Sequence, residues 1–213
     1  NAETSDHFHT TQTGSVKASI ATQSVNATFI KNGNKMFYEN ISTSAFVQVG
    51  IRFYQDESNV EIHTLRGGEV QQDKVNWSSA SIENITPSQY EENWGKDLTR
   101  KSIFVVSSKT SLSTSSAVKT VDGYEVNVDL DPVLGAARYV KQIILTSGLD
   151  KTPVFSKISL TYYLDENLKL QRVVSHCEYA VYMVILVDSI ETLDEYYSYD
   201  DLAIPSITED CVY

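Results

Sequence analysis

The residues able to do chemistry in this chain are few and scattered. Its four histidines include one close pair, His7 and His9, which could offer two imidazoles to a metal. No third ligand stands near them, and a protein zinc site needs three or four. His63 and His176 read as ordinary strand residues. Ser116 and Lys119 match the spacing of a serine nucleophile and its lysine base. That chemistry needs both groups on one helical face, whereas the surrounding Ser, Thr and Val point to strand or loop. The sequence has no Gly-x-Ser-x-Gly elbow, and Ser147-Gly148 falls at a helix end. It also has no phosphate-cradling glycine loop and no dinucleotide fingerprint. Asp129 and Asp131 flank a strand-to-helix junction, where a carboxylate meets the positive end of a helix dipole; capping is expected there rather than acid–base work. These spacings predict a non-catalytic protein with no metal and no cofactor.

The charge distribution narrows the partners. Seventeen basic against 28 acidic side chains leave a net charge of −11, which repels phosphate backbones and excludes nucleic acid as a partner. No stretch reaches 18 apolar residues, so no helical membrane span is expected. Beyond Arg172 there is no Lys or Arg, and nine carboxylates follow. Residues 191–213 are read as a solvated acidic tail, with a docking strip for a basic partner or a weak calcium site as the alternative. Cys177 and Cys211 either pair, pinning that tail to a strand, or remain two free thiols.

The elements that would position a site are mostly strands. Thirteen tyrosines and abundant Ser, Thr, Val and Ile suit a half-buried pleated surface. Ser15–Thr22, Val25–Lys31, Lys35–Ser42, Ala45–Tyr54 and Val60–Leu65 read as successive strands. Asn32-Gly33-Asn34 and Asp56–Asn59 mark tight turns, which make these neighbours antiparallel. Val47, Val49, Ile51 and Phe53 share one face that is wholly apolar and must be covered. Thr86-Pro87 through Gly95 carries an N-cap, a proline at the first helical position and a closing glycine, predicting a short helix. Lys101–Val106 and Tyr124–Leu130 read as strands, and Lys109–Thr114 as a weaker one. Asp131-Pro132 opens one long helix ending at Gly148, with an apolar stripe of Val133, Ala137, Val140 and Ile144 widened by Ala136 and Ile143. Phe155–Leu164, Leu168–His176 and Glu178–Val187 close the domain. The last is apolar at consecutive positions and is read as buried on both faces.

The chain begins Asn1-Ala2, and residues 1–14 are polar. The expected organisation is a flexible tether over 1–14, a single β-rich domain over 15–190 and the acidic tail over 191–213, in an exported protein.

The strands Val25–Tyr54 with their Asn-Gly turn, the helix Asp131–Gly148 and the run Phe155–Val187 resemble in order the bacterial lipoprotein-carrier superfamily of LolA, LppX and LprG. The likeness is one of pattern over most of residues 15–190, nearest to lipoproteins of Gram-positive gut bacteria, and the tail departs from it. The resemblance implies an α+β fold: a strongly curved antiparallel sheet, or half-barrel, with one long and one short helix packed on its concave side. It also implies a monomer held at the cell envelope outside the cytoplasm, peripheral to the membrane through an N-terminal lipid anchor. Its ligand would be a lipid or other hydrophobic molecule, held between sheet and helix by Val47, Val49, Ile51, Phe53, Val140, Ile144, Tyr182 and Val184. The same residues could instead pack as a solid core. A second functional reading is a protein-interaction or sensor module that uses the tail's Tyr196, Tyr197 and Tyr199.

Overall fold

The structure is a computed structural model that describes residues 5–45, 48–71, 74–95, 103–147, 149, 151–182 and 185–205. The chain opens with a five-stranded meander, β1 (His7–Ala18), β2 (Thr22–Asn32), β3 (Lys35–Thr43), β4 (Gln48–Gln55) and β5 (Val60–Arg66). A small ribbon follows, made of β6 (Val70–Gln71) and β7 (Lys74–Val75), then β8 (Ser81–Ile85) and helix α1 (Pro87–Trp94). The second half runs β9 (Ser116–Lys119), β10 (Tyr124–Asp129), helices α2 (Pro132–Gly135) and α3 (Ala137–Ser147), β11 (Val154–Leu164), β12 (Leu170–Tyr182) and β13 (Leu186–Ser198). Eleven strands form one open antiparallel sheet in the order β8-β5-β4-β3-β2-β1-β13-β12-β11-β10-β9. The sheet is thus two meanders joined where β1 pairs with β13.

Local chemistry explains most of these elements. Gly33 takes φ 59° at the first position of the two-residue β2–β3 turn, which a side chain would disfavour. Asp56 Oδ1 accepts from the amides of Ser58 and Asn59 and closes the β4–β5 turn. Thr86 and Gln89 make a full capping box at the start of α1, with Pro87 behind the cap and Gly95 left-handed at the far end. Asp131 Oδ1 accepts from the amides of Val133 and Leu134, so its expected capping role is what the structure contains.

The structure corrects several expectations. Residues 7–14 are not a tether but most of β1, a strand paired on both sides. The acidic stretch from Glu191 to Ser198 is not a solvated tail but the body of β13. The two strands expected over Leu168–His176 and Glu178–Val187 are one strand, β12, and the apolar run beyond Tyr182 spans its turn into β13. The long helix is broken at Ala136 into α2 and α3, and Gly135 beside the break lets the backbone pass close to Leu130, from which a Cβ would stand 2.9 Å. Residues 103–106 are not a strand, and Lys109–Thr114 contributes a single bridge from Ser111 to Leu130.

Residues directly opposite in neighbouring strands share a face, so the register fixes what each face carries. One face holds two apolar clusters. Phe8, Phe29, Met36, Ile51, Phe53, Val60 and Ile62 pack beneath Tyr90 and Trp94 of α1. Phe155, Ile158, Leu160, Cys177 and Tyr179 pack beneath Tyr139, Val140 and Ile143 of α3. We call this the helix face. The opposite face is more polar: Arg52 pairs with Glu39 beside the Trp77 ring, and Arg172 grips Asp194 through two bonds of 2.7 and 2.6 Å.

Candidate ligand-binding site

Helix α1 crosses the β4–β5 half of the sheet, and α3 reaches it from the other half. Lys141 Nζ of α3 donates to the Glu92 carbonyl of α1 at 3.4 Å. Where the helices meet the sheet they leave a cavity of about 160 Å³, lined on its apolar side by Val49, Ile51, Ile62, Ile85, Trp94 and Leu145. Its polar lining comes from Thr64, Arg66, Glu83 and Asn93, of which the last three are exposed. The lining thus mixes six apolar side chains with four polar ones, and a small-molecule site combines apolar surface with a few polar groups that fix orientation. The volume suits a ring the size of benzene or the end of an alkyl chain.

The expected lining residues separate on the structure. Val49 and Ile51 line the cavity. Phe53 lies in the solid core, edge-on to both Tyr90 and Trp94 at 5.4 and 4.8 Å. Val140 packs into the cluster under α3, and Ile144 is half-buried. Tyr182 is exposed, with the Lys151 ammonium 3.7 Å over its ring. Val47 and Val184 lie outside the described residues. Ile62, Ile85, Trp94 and Leu145 were missed. Tyr90 and Trp94 stand four apart on α1, the spacing of one helical face, and that signal could have placed Trp94. Leu145 had none, because it lies off the apolar stripe of Val140 and Ile144 and is 45% exposed.

Apart from the residues that line the cavity, the middle of the helix face holds two buried carboxyl groups on β13. Glu191 is 1% exposed and accepts a hydrogen bond from the Tyr139 hydroxyl of α3 through Oε2. Its Oε1 has no hydrogen-bond partner among the described residues. Burial pushes its carboxyl up to about 7, while Tyr139 and Tyr179 pull the other way. Burial, aided by the charge of Glu191, holds the Cys177 thiol far above its usual range. Cys177 is buried, and Cys211 lies outside the described residues, so the two alternatives for this pair, a disulfide or two thiols, lie outside them too. Glu195, two strand repeats away, accepts from Thr10 at 2.8 Å and from the Tyr197 hydroxyl at 3.1 Å. The three tail tyrosines divide: Tyr196 is exposed, Tyr197 stacks on Phe8, and Tyr199 donates to the Leu170 carbonyl.

No family model and no curated protein matches the chain. A solved structure, a DUF1329 family protein from Desulfovibrio piger ATCC 29098, aligns over 96% of this chain and 89% of its own at 10% identity, with a TM-score of 0.35. So loose a superposition carries no inference about function.

Two of the histidines meet carboxylates on their own strands, whereas the buried Nδ1 of His9 on β1 has no hydrogen-bond partner among the described residues. His63 meets Glu61 at 2.5 Å and His176 meets Glu178 at 3.4 Å, each two residues along its own strand. That spacing is visible in the sequence and was passed over. Ser116 and Lys119 lie on β9, where three residues apart means opposite faces. Among the described residues, no three His, Cys, Asp or Glu groups stand close enough to share a metal. No helix among them is long and apolar enough to cross a membrane.

Proposed function

We propose that this protein is a non-catalytic binding module that takes a hydrophobic small molecule or lipid chain into the cavity between sheet and helices. The observation that carries the reading is that cavity, where six apolar side chains stand beside Thr64 and the exposed Arg66, Glu83 and Asn93. We further read the sheet as a strongly curved half-barrel with the helices in its concavity. Support comes from the contact between α1, seated on β4 and β5, and α3, seated on β11 and β12. Four strands lie between those seats, whose centres are six strand spacings apart, about 30 Å on a flat sheet at about 4.8 Å per strand. The likeness to lipoprotein carriers, with an exported and membrane-anchored setting, belongs to the same reading.

The test is a titration with a medium-chain fatty acid, followed by Trp94 fluorescence in a Trp77→Phe background. A saturable change is expected, and Leu145→Phe, which fills the mouth from an exposed position, should weaken it at least tenfold. A titration without saturation would sink the proposal.

A further inference from the structure

On the face turned away from the helices, the joined strands carry an ordered polar field. Paired residues of neighbouring strands share a face, so Thr28 of β2, Thr11 of β1, Tyr196 of β13, Arg172 of β12 and Tyr163 of β11 stand in one row. The next row sets Asn26, Thr13 and Asp194 side by side. Such rows repeat about 7 Å along the strands, with about 4.8 Å between strands. Thr11, Thr13 and Tyr196 are exposed, the last by 50%.

The Tyr196 ring is held in place by its neighbours. The Arg172 guanidinium lies over it at 5.2 Å, and over the Tyr163 ring at 5.1 Å. Asp194 fixes that guanidinium through two bonds of 2.7 and 2.6 Å and accepts from the Tyr196 hydroxyl at 3.2 Å. With one ring face against Arg172, the exposed half of the side chain presents the other.

We propose that this face binds an extended, uncharged, β-linked oligosaccharide, with one sugar stacked on Tyr196 and hydroxyl groups bonded to Thr11, Thr13 and Asn26. Such a chain is a ribbon with C–H groups on its faces and hydroxyls along its edges. An aromatic ring is negative on its face and attracts C–H groups. Threonine hydroxyls and the asparagine amide both donate and accept, as sugar hydroxyls do. From Asn26 to Asp194 the row spans two strand spacings, about 10 Å, which is more than one sugar ring covers. Charge decides between occupants. Of the named positions on β1, β2 and β13, Asp194 alone is charged, and Arg172 neutralises it. A polyanion would be repelled by the net charge of −11. A second copy of the chain would need an apolar centre to its interface, where this face offers threonine and asparagine. The inference goes beyond the cavity, since none of these residues lines it.

The experiment is isothermal titration calorimetry of the full chain with cellohexaose, xylohexaose and mannohexaose, beside maltohexaose, whose α-linked chain coils. At least one of the first three should bind saturably, and maltohexaose about tenfold more weakly. Tyr196→Ala should weaken the bound glycan about tenfold, as should Thr11→Val/Thr13→Val, which removes two hydroxyls and keeps the strand-forming shape. All three positions are exposed, so the melting midpoints should stay near the parent's. Leu145→Phe, placed against the cavity, should leave glycan binding unchanged, so the two proposals fail separately. Four outcomes would overturn this one: no saturable binding of the first three glycans, undiminished binding by both variants, maltohexaose bound as tightly as the best of the three, or a ligand-free dimer that Tyr196→Ala disperses.

Discussion

Glu191 sits on the strand that joins the two halves of the sheet, with its carboxyl sealed under α3. In the unfolded chain that group titrates near its ordinary 4.5, and in the fold at about 7. The folded state therefore holds the proton more tightly. The group's contribution is complete below pH 4.5 and is lost as pH rises through 7. At about 1.4 kcal/mol per pH unit, the loss by pH 8 is about 3 kcal/mol. Asp56, Asp129 and Asp194 are all held below their usual 3.8, so their contributions fall away only in stronger acid and stay constant over this window. Urea unfolding should thus give a higher free energy at pH 5 than at pH 8, and Glu191→Gln should remove most of the difference. A parent protein equally stable at both values would contradict the assignment. None of this was legible beforehand. Val187, Ser189, Glu191, Leu193, Glu195 and Tyr197 alternate onto the buried face of β13, but the carboxylates among them hide the strand from any hydropathy pattern.

The elements that could be read were those whose signals are local. The cap of α1, the Gly33 turn and the meander from β2 to β5 follow from residues within a few positions of one another. The β12–β13 turn could not be read that way. Continuous apolar residues suggested a doubly buried strand, whereas β12 ends within the run at Tyr182, β13 starts at Leu186, and Tyr182, Ile185 and Leu186 are exposed. The β11–β12 turn shows the opposite case, a turn whose residue types are not all suited to it. Asp165 Oδ1 accepts from the amides of Asn167 and Lys169, but Leu168 is left at φ 62° with its side chain 62% exposed. A left-handed leucine costs about 1 kcal/mol and here gains little burial in return. Leu168→Asn should therefore raise the thermal midpoint by about 2–4 °C. A lower midpoint would mean that the exposed leucine makes a contact worth more than its backbone strain.

At the scale of the whole molecule, the legible part was an antiparallel sheet with few helices, and the illegible part was its joint. β1 and β13 are partners across most of the chain; the bond from Thr10 to Glu195 spans 185 residues. Such a pairing leaves no local trace, so its two strands were taken for a tether and a tail. Gly14 marks the joint. A Cβ there would stand 2.2 Å from the Thr192 carbonyl and 2.8 Å from Leu193. Gly14→Ala should cost about 2–3 kcal/mol in urea unfolding, and a neutral result would show that the two strands can spread. The same joint sets the order of events during synthesis. The β2–β5 and β10–β12 meanders can each form soon after they leave the ribosome, but β1 must wait with one edge unpaired until nearly the whole chain has emerged. Until then its backbone donors and acceptors are open to any passing strand. High contact order predicts slow final closure, and a holding chaperone would find its target in that waiting edge.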